Sequence, residues 1–174
     1  MNNFEHRLMG GHPNSLGNTI EVVDEVLTDH SLFDELFHCY LSDDEVVRLR
    51  VSNAMKRICK VEKSLLLPYI DRFLNEISKI DQASTQWTLS QLFLQLEKDM
   101  TPDQKERALQ IMKENLAHHD DWIVLCQTME TLGRWAKKDE GLKSWLLAHL
   151  RRLIQDERNS VSKKAQTTLT VLTS

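Results

Sequence analysis

Four stretches of the chain carry mostly apolar residues at a 4-3-4 spacing: Val47, Val51, Ala54 and Ile58; Thr85, Leu89, Leu92 and Leu96; Trp122, Cys126, Met129 and Gly133; Val161, Ala165, Thr168 and Leu172. On a helix these offsets fall within about 60° of each other, so each set predicts one buried stripe. Only Thr85 and Thr168 are polar, and Gly133 alone has no side chain. The leading members follow one another at 38, 37 and 39 residues. That echo predicts a repeated unit. No run alternates apolar and polar residues as a half-buried strand would.

Start signals agree with the stripes. Asp43-Asp44-Glu45 precedes a predicted helix over 46–60, and Asp81 precedes one over 82–97. Asp120-Asp121 precedes 122–136, and Asp156-Glu157 precedes 160–173. Acidic residues at a helix start can cap free amides and complement the positive dipole end. Four further helices are predicted between these, over 31–41, 63–80, 102–118 and 142–154. Thr101-Pro102 gives the third an N-cap followed by proline at the first helical position. The five glycines are unevenly placed, three of them (Gly10, Gly11, Gly17) within the first 17 residues. The remainder is therefore read as nearly all helix.

Two helices per unit of about 38 residues, joined by short acidic turns, describe an all-α superhelix, or α-solenoid. The unit resembles a HEAT repeat. Asp43-Asp44-Glu45-Val46-Val47-Arg48, followed by Ala54-Met55 and Ile58, is similar to that repeat's second helix. Pro68 within Leu65-Leu66-Leu67-Pro68-Tyr69-Ile70 resembles the kink of its first helix. At the positions equivalent to Arg48 the later units carry Gln86, Ile123 and Ser162. The expected organisation is one domain: an irregular segment over 1–18, a cap helix over 19–30, and repeats over 31–61, 62–99, 100–139 and 140–174. The start, Gly10-Gly11-His12-Pro13-Asn14-Ser15-Leu16-Gly17-Asn18, is similar to that of small bacterial HEAT-repeat (armadillo-like) proteins. That resemblance implies a bacterial cytosolic protein and brings no activity with it.

In such a stack the second helices line a concave face. Opposite the predicted stripe lie Leu49, Asn53, Lys56 and Lys60; Trp87, Gln91, Leu94 and Lys98; Val124, Thr128, Thr131 and Trp135; Lys163, Thr167, Thr170 and Ser174. This ridge carries no acidic side chain although the chain has 26. Amides and hydroxyls can hydrogen-bond an extended backbone, and tryptophans supply flat apolar anchors. Leu49, Asn53, Lys56, Trp87, Gln91, Leu94, Thr128, Thr131, Trp135 and Thr167 are therefore the candidate binding residues. The expected partner is a protein or peptide. The exposed end of a short stack also offers a face for a second copy, a homodimer.

Composition narrows the other classes. The chain has 174 residues, enough to bury a real core, and a formal net charge of -4. Residues 1–100 hold 10 Lys/Arg against 16 Asp/Glu, whereas residues 101–174 hold 12 against 10. A pI near 6.0 disfavours nucleic acid as partner. DNA glycosylases of the HEAT-like fold are the alternative, but the predicted ridge offers no carboxylate to stabilise a sugar cation. Charges interrupt every apolar run, so no membrane span is expected. No basic-then-apolar leader opens the sequence, and Cys39, Cys59 and Cys126 form no CxxC pair. A cytoplasmic location is expected, without cofactor or metal.

Two motifs remain. His118-His119-Asp120-Asp121 reads as a helix end followed by the next helix's cap, because helical neighbours point about 100° apart and rarely share one metal ion. The glycine-rich start lacks the Gly-Lys-Ser/Thr of a phosphate loop and reads as successive turns. Its polar residues His12, Asn14, Ser15 and Asn18 form a secondary loop candidate. No serine, histidine and acid are brought together by the sequence, so a non-catalytic role is expected.

Overall fold

The computed structural model describes residues 3–174; Met1 and Asn2, the start of the expected irregular segment, lie outside that range. Ten α-helices form: α1 Phe4–Leu8, α2 Thr19–Thr28, α3 Phe33–His38, α4 Glu45–Glu62, α5 Ile70–Asn75, α6 Ala83–Leu96, α7 Pro102–His118, α8 Trp122–Ala136, α9 Glu140–Leu153 and α10 Asn159–Thr173. No strand occurs among the described residues. Helices α4, α6, α8 and α10 pack in series, with α2 against the start of the row at α4. Helices α7 and α9 both pack on α8, α5 packs on α7, and α9 packs on α10. One apolar cluster runs through the whole assembly from Phe4 to Leu172.

The caps follow the acidic turns in part. The carboxylate of Asp44 accepts from the Val46 amide at 2.8 Å, and that of Asp121 accepts from the Ile123 and Val124 amides at 2.9 and 3.0 Å. Thr101 and Gln104 close a capping box around Pro102. Asp81 and Asp156 cap nothing. Helix α6 starts after Gln82, whose carboxamide instead accepts from Arg48 and donates to the Glu45 carbonyl. Asp156 accepts from the backbone and side chain of Arg158 at 2.9 Å, a local turn after which α10 starts at Asn159, one residue before the expected start.

The helices predicted over 31–41 and 63–80 are broken into shorter pieces. Around α5 the chain makes 3-10 turns at Lys63–Leu65, Leu67–Tyr69 and Ile77–Lys79. Pro68 lacks an amide hydrogen and disfavours helical geometry in the residue before it, so a continuous helix cannot pass. What holds α3 against α5 is aromatic: the Phe37 ring lies 4.7 Å from Tyr69 and 5.2 Å from Phe73. The segment before residue 19, expected to be irregular, contains α1. Its Phe4 and Leu8 stack at i, i+4 and are fully buried. Arg7 clamps Glu25 of α2 with two bonds of 2.8 and 2.6 Å.

The predicted stripes are buried on α4, α6 and α10. On α8 the register differs. Trp122 is 47 % exposed and Cys126 half-buried, while Leu125, Met129, Leu132 and Ala136 face inward at the same 4-3-4 spacing. The helix is thus turned by three residues, equivalent to about 60°. Both sets are apolar enough to pass as a stripe. Trp122 follows the Asp121 cap directly, in the first position of the helix, where little covers it. Gly133 stays inside for a different reason: a Cβ there would meet the Thr168 methyl at 2.9 Å. The glycine sets how closely α10 approaches α8.

Overpacking that crossing should be costly. Gly133→Val is expected to lower unfolding free energy by about 1–3 kcal/mol, read as a lower midpoint in urea denaturation. A midpoint equal to the parent's would refute the close approach.

Candidate functional site

The glycine-rich loop is organised by a residue that the sequence pattern does not single out. Arg50 of α4 is 2 % exposed and has no carboxylate in salt-bridge reach among the described residues. Its guanidinium donates instead to backbone carbonyls of the loop: Leu8 at 2.8 Å, Gly10 at 2.6 Å, Ser15 at 3.2 Å and His12 at 3.3 Å. A buried cation must find such partners, and a planar fork of five donors can serve several carbonyls at once. The loop curls tightly to present them. Gly17 has φ +51° and a Cβ there would press on the guanidinium at 2.9 Å, so a side chain is excluded twice over.

His12, Asn14, Ser15 and Asn18 are exposed, and the side chains of His12, Ser15 and Asn18 are used locally. His12 Nδ1 accepts from the Asn14 amide, and Ser15 Oγ accepts from the Gly17 amide. Asn18 Nδ2 donates to the Arg7 carbonyl at 3.0 Å. The turn reading of these residues agrees with this placement.

The predicted ridge divides into two parts. On α4 and α6, Leu49, Asn53, Lys56, Trp87, Gln91 and Leu94 are half-buried, lying on the less covered side of each helix. On α10, Lys163, Thr167 and Thr170 are exposed. On α8 the turned register withdraws the expected residues. Thr128, Thr131 and Trp135 are buried, at 0, 1 and 4 % exposure. Thr128 shares a 3.1 Å hydrogen bond with Ser90 of α6, and Thr131 donates to the Ser90 carbonyl at 2.7 Å. Their hydroxyls join two helices and offer nothing to a ligand. Trp135 forms the floor of a cleft of about 620 Å³ between the start of α7 and the start of α9, with Lys105 Nζ 4.9 Å above its ring.

The side of α8 that replaces them carries Ile123, Gln127, Glu130 and Arg134. An acid-free ridge is therefore not what α8 presents. Glu130 accepts from Arg134 at 2.7 Å and from Lys164 of α10, and the bond from Lys164 above all holds its carboxyl below the usual range. That carboxylate is committed to bridging two helices. The turn of α8 had one legible sign: Leu125, Met129, Leu132 and Ala136 have no glycine, unlike the set led by Trp122.

Nucleophilic chemistry finds no support in the thiols. Burial pushes Cys39 up to about 12 and Cys59 up to about 11, and it also raises Cys126. Activated cysteines are shifted the other way. His119 Nδ1 accepts from the Asp121 amide, and Asp121 caps α8, as read from the sequence. Among the described residues no cluster of three His, Cys, Asp or Glu side chains could hold a metal ion. No described helix is long and apolar enough to cross a membrane. No protein-family model matches the chain, and no curated protein matches it.

Two outcomes follow. Arg50→Met should lower stability by roughly 2–3 kcal/mol, the value of charge-assisted hydrogen bonds, and should open residues 9–17 to limited proteolysis. An uncut loop would show that the guanidinium is dispensable. The raised thiols should stay protonated at pH 8, so alkylation of Cys39 and Cys59 by iodoacetamide should be slow in the folded chain and fast in urea. Labelling at the same rate in both states would contradict that environment.

Proposed function

We propose that the chain is a HEAT-like α-solenoid of four helical hairpins with an N-terminal cap, acting as a non-catalytic scaffold that binds a protein or peptide segment along the uncovered sides of α4, α6, α8 and α10. The observation that carries this reading is the serial packing of those four helices, each with one side less covered than the rest. On α4 that side sets Asn53 one turn from Leu49. On α6 it sets Gln91 between Trp87 and Leu94. The Gln91 carboxamide oxygen is itself buried and has no hydrogen-bond donor among the described residues, so the carboxamide has to turn outward to serve a ligand. Amides flanked by half-exposed apolar groups suit an extended backbone whose side chains alternate between pockets and solvent.

The nucleic-acid or glycosylase reading fits less well. It needs a free carboxylate and a long cationic track. Glu130 is tied to Lys164 and Arg134, and the chain as a whole is anionic.

Selection from a random dodecapeptide library on the immobilised full chain is the direct test. Selected peptides should lose at least tenfold in affinity, about 1.4 kcal/mol, against Trp87→Ala and against Gln91→Ala, with both variants melting as cooperatively as the parent. Peptides that ignore both substitutions, or a library that yields no binder, would overturn the proposal.

A further inference from the structure

The charges of α4 are sorted in a way that packing does not require. Residues 46–61 contain Arg48, Arg50, Lys56, Arg57 and Lys60 and no carboxylate, inside a half of the chain where acids outnumber bases by 16 to 10. Residues 82–96, which include α6, contain no charged residue at all. Two of the five cations have structural work. Arg50 holds the N-terminal loop, and Arg48 donates to Gln82 at 2.7 Å and to the Ser42 carbonyl at 2.6 Å. Lys56, Arg57 and Lys60 have no carboxylate partner among the described residues. Arg57 only meets the Asn53 side-chain oxygen, at 2.6 Å.

The two helices are held together at both ends. Gln82, at the start of α6, bonds to Arg48 and to the Glu45 carbonyl of α4. Just past their far ends, Lys63 pairs with Asp99 at 2.7 Å. Lys60 and Lys98 are each within a turn of that pair, and both are exposed. Of the nearby acids, Asp99 is paired with Lys63 and Glu97 with Lys105 at 2.7 Å; Glu62 meets only the Ser64 hydroxyl and keeps its charge, one acid against Lys56, Arg57, Lys60 and Lys98. The far end of the α4–α6 face is therefore cationic; Leu49 and Trp87 lie toward its other end, with Leu94 between.

From this arrangement we infer that the α4–α6 face takes an acidic segment of a partner protein, its carboxylates on Lys56, Arg57, Lys60 and Lys98 and an apolar side chain against Trp87. The inference rests on the peptide-scaffold reading and narrows it to one class of ligand. Burial lowers the pKa of Lys56, and the neighbouring Lys60 and Arg57 add to that, so these cations repel one another in the unbound chain. A ligand carboxylate would relieve that repulsion. The cationic patch is short and surrounded by an acidic half of the chain, which suits a few carboxylates beside an apolar anchor. A polyphosphate backbone would run on into like charge.

The same dodecapeptide library tests this separately from the scaffold reading. Selected sequences should be enriched in Asp and Glu around a bulky apolar residue. Their affinity should fall at least tenfold for Lys60→Glu/Lys98→Glu, two exposed sites that leave folding intact, and at least tenfold between 50 and 500 mM NaCl (an electrostatic range). Lys56→Gln should weaken them as well. Binders that need Trp87 but show no acidic excess and ignore Lys60→Glu/Lys98→Glu would overturn the acidic class and leave the scaffold standing. A library without binders would remove both. A single-stranded 12-nucleotide DNA binding this face more tightly than any selected peptide would assign it to nucleic acid instead.

Discussion

A helix packed between two neighbours in a row, with a third behind it, has one side left. That constraint governs α6 and α8. Each must meet the next helix of the row closely enough to exclude water, and small or hydroxyl side chains allow the approach. Ser90, Thr128 and Thr131 lie between α6 and α8, and Gly133 lies against Thr168 between α8 and α10. Hydroxyls placed there must be satisfied within the protein, since a buried polar group without a partner costs free energy. Ser90 meets this demand twice, through its hydroxyl to Thr128 and its carbonyl to Thr131. Residues that suit a ligand ladder and residues that suit a tight helix crossing are the same types, and position alone separates the roles.

Much of the architecture was legible because it depends on local rules. The 4-3-4 apolar spacing on α4, α6 and α10, the Asp44 and Asp121 caps and the Thr101–Pro102 start are short-range signals, and each appears in place. What was not legible depends on long-range competition. Gln82 could have left Asp81 as the cap; instead Arg48 and the Glu45 carbonyl draw its carboxamide across to α4. The register of α8 was ambiguous because two overlapping sets of apolar residues satisfy the same period. Their choice is made by α6, α7, α9 and α10 together. The candidate site inherits this split. Leu49, Asn53, Trp87 and Gln91 sit on less covered sides as expected, while the α8 residues do not, since a rotation of about 60° exchanges a surface threonine for an interhelical one.

Arg50 shows the same limit from the other direction. A lone arginine within a helix reads as surface charge, and nothing in the periodicity marks it. Only the curl of residues 8–15 supplies the carbonyls that make its burial tolerable. The dependence is mutual, because the loop has few other long-range contacts. Glycine at position 17 is then a packing requirement of the guanidinium as much as a turn requirement of the backbone. The polar residues of this loop look like a ligand site in sequence, yet their hydrogen bonds all point back into the loop and α1.

Set against Arg50 and Arg48, the remaining cations of α4 become informative. One helix carries positive charge in two conditions: two arginines wholly occupied by carbonyls and a carboxamide, and Lys56, Arg57 and Lys60 left facing one another. Structural demand explains the first pair, for removing either would orphan several acceptors. It does not explain the second group, whose mutual repulsion opposes folding. Three lysines elsewhere are balanced, Lys63 by Asp99, Lys105 by Glu97 and Lys164 by Glu130, while Lys79, Lys113, Lys137, Lys138, Lys143 and Lys163 stand without a carboxylate partner among the described residues. What sets α4 apart is the run over residues 46–61, five cations without one carboxylate, on a face that also leaves Trp87 half-covered. Charge kept uncompensated on the face that carries an apolar anchor is complementary to a ligand bearing the opposite pair, and that complementarity is the physical ground for proposing an acidic partner.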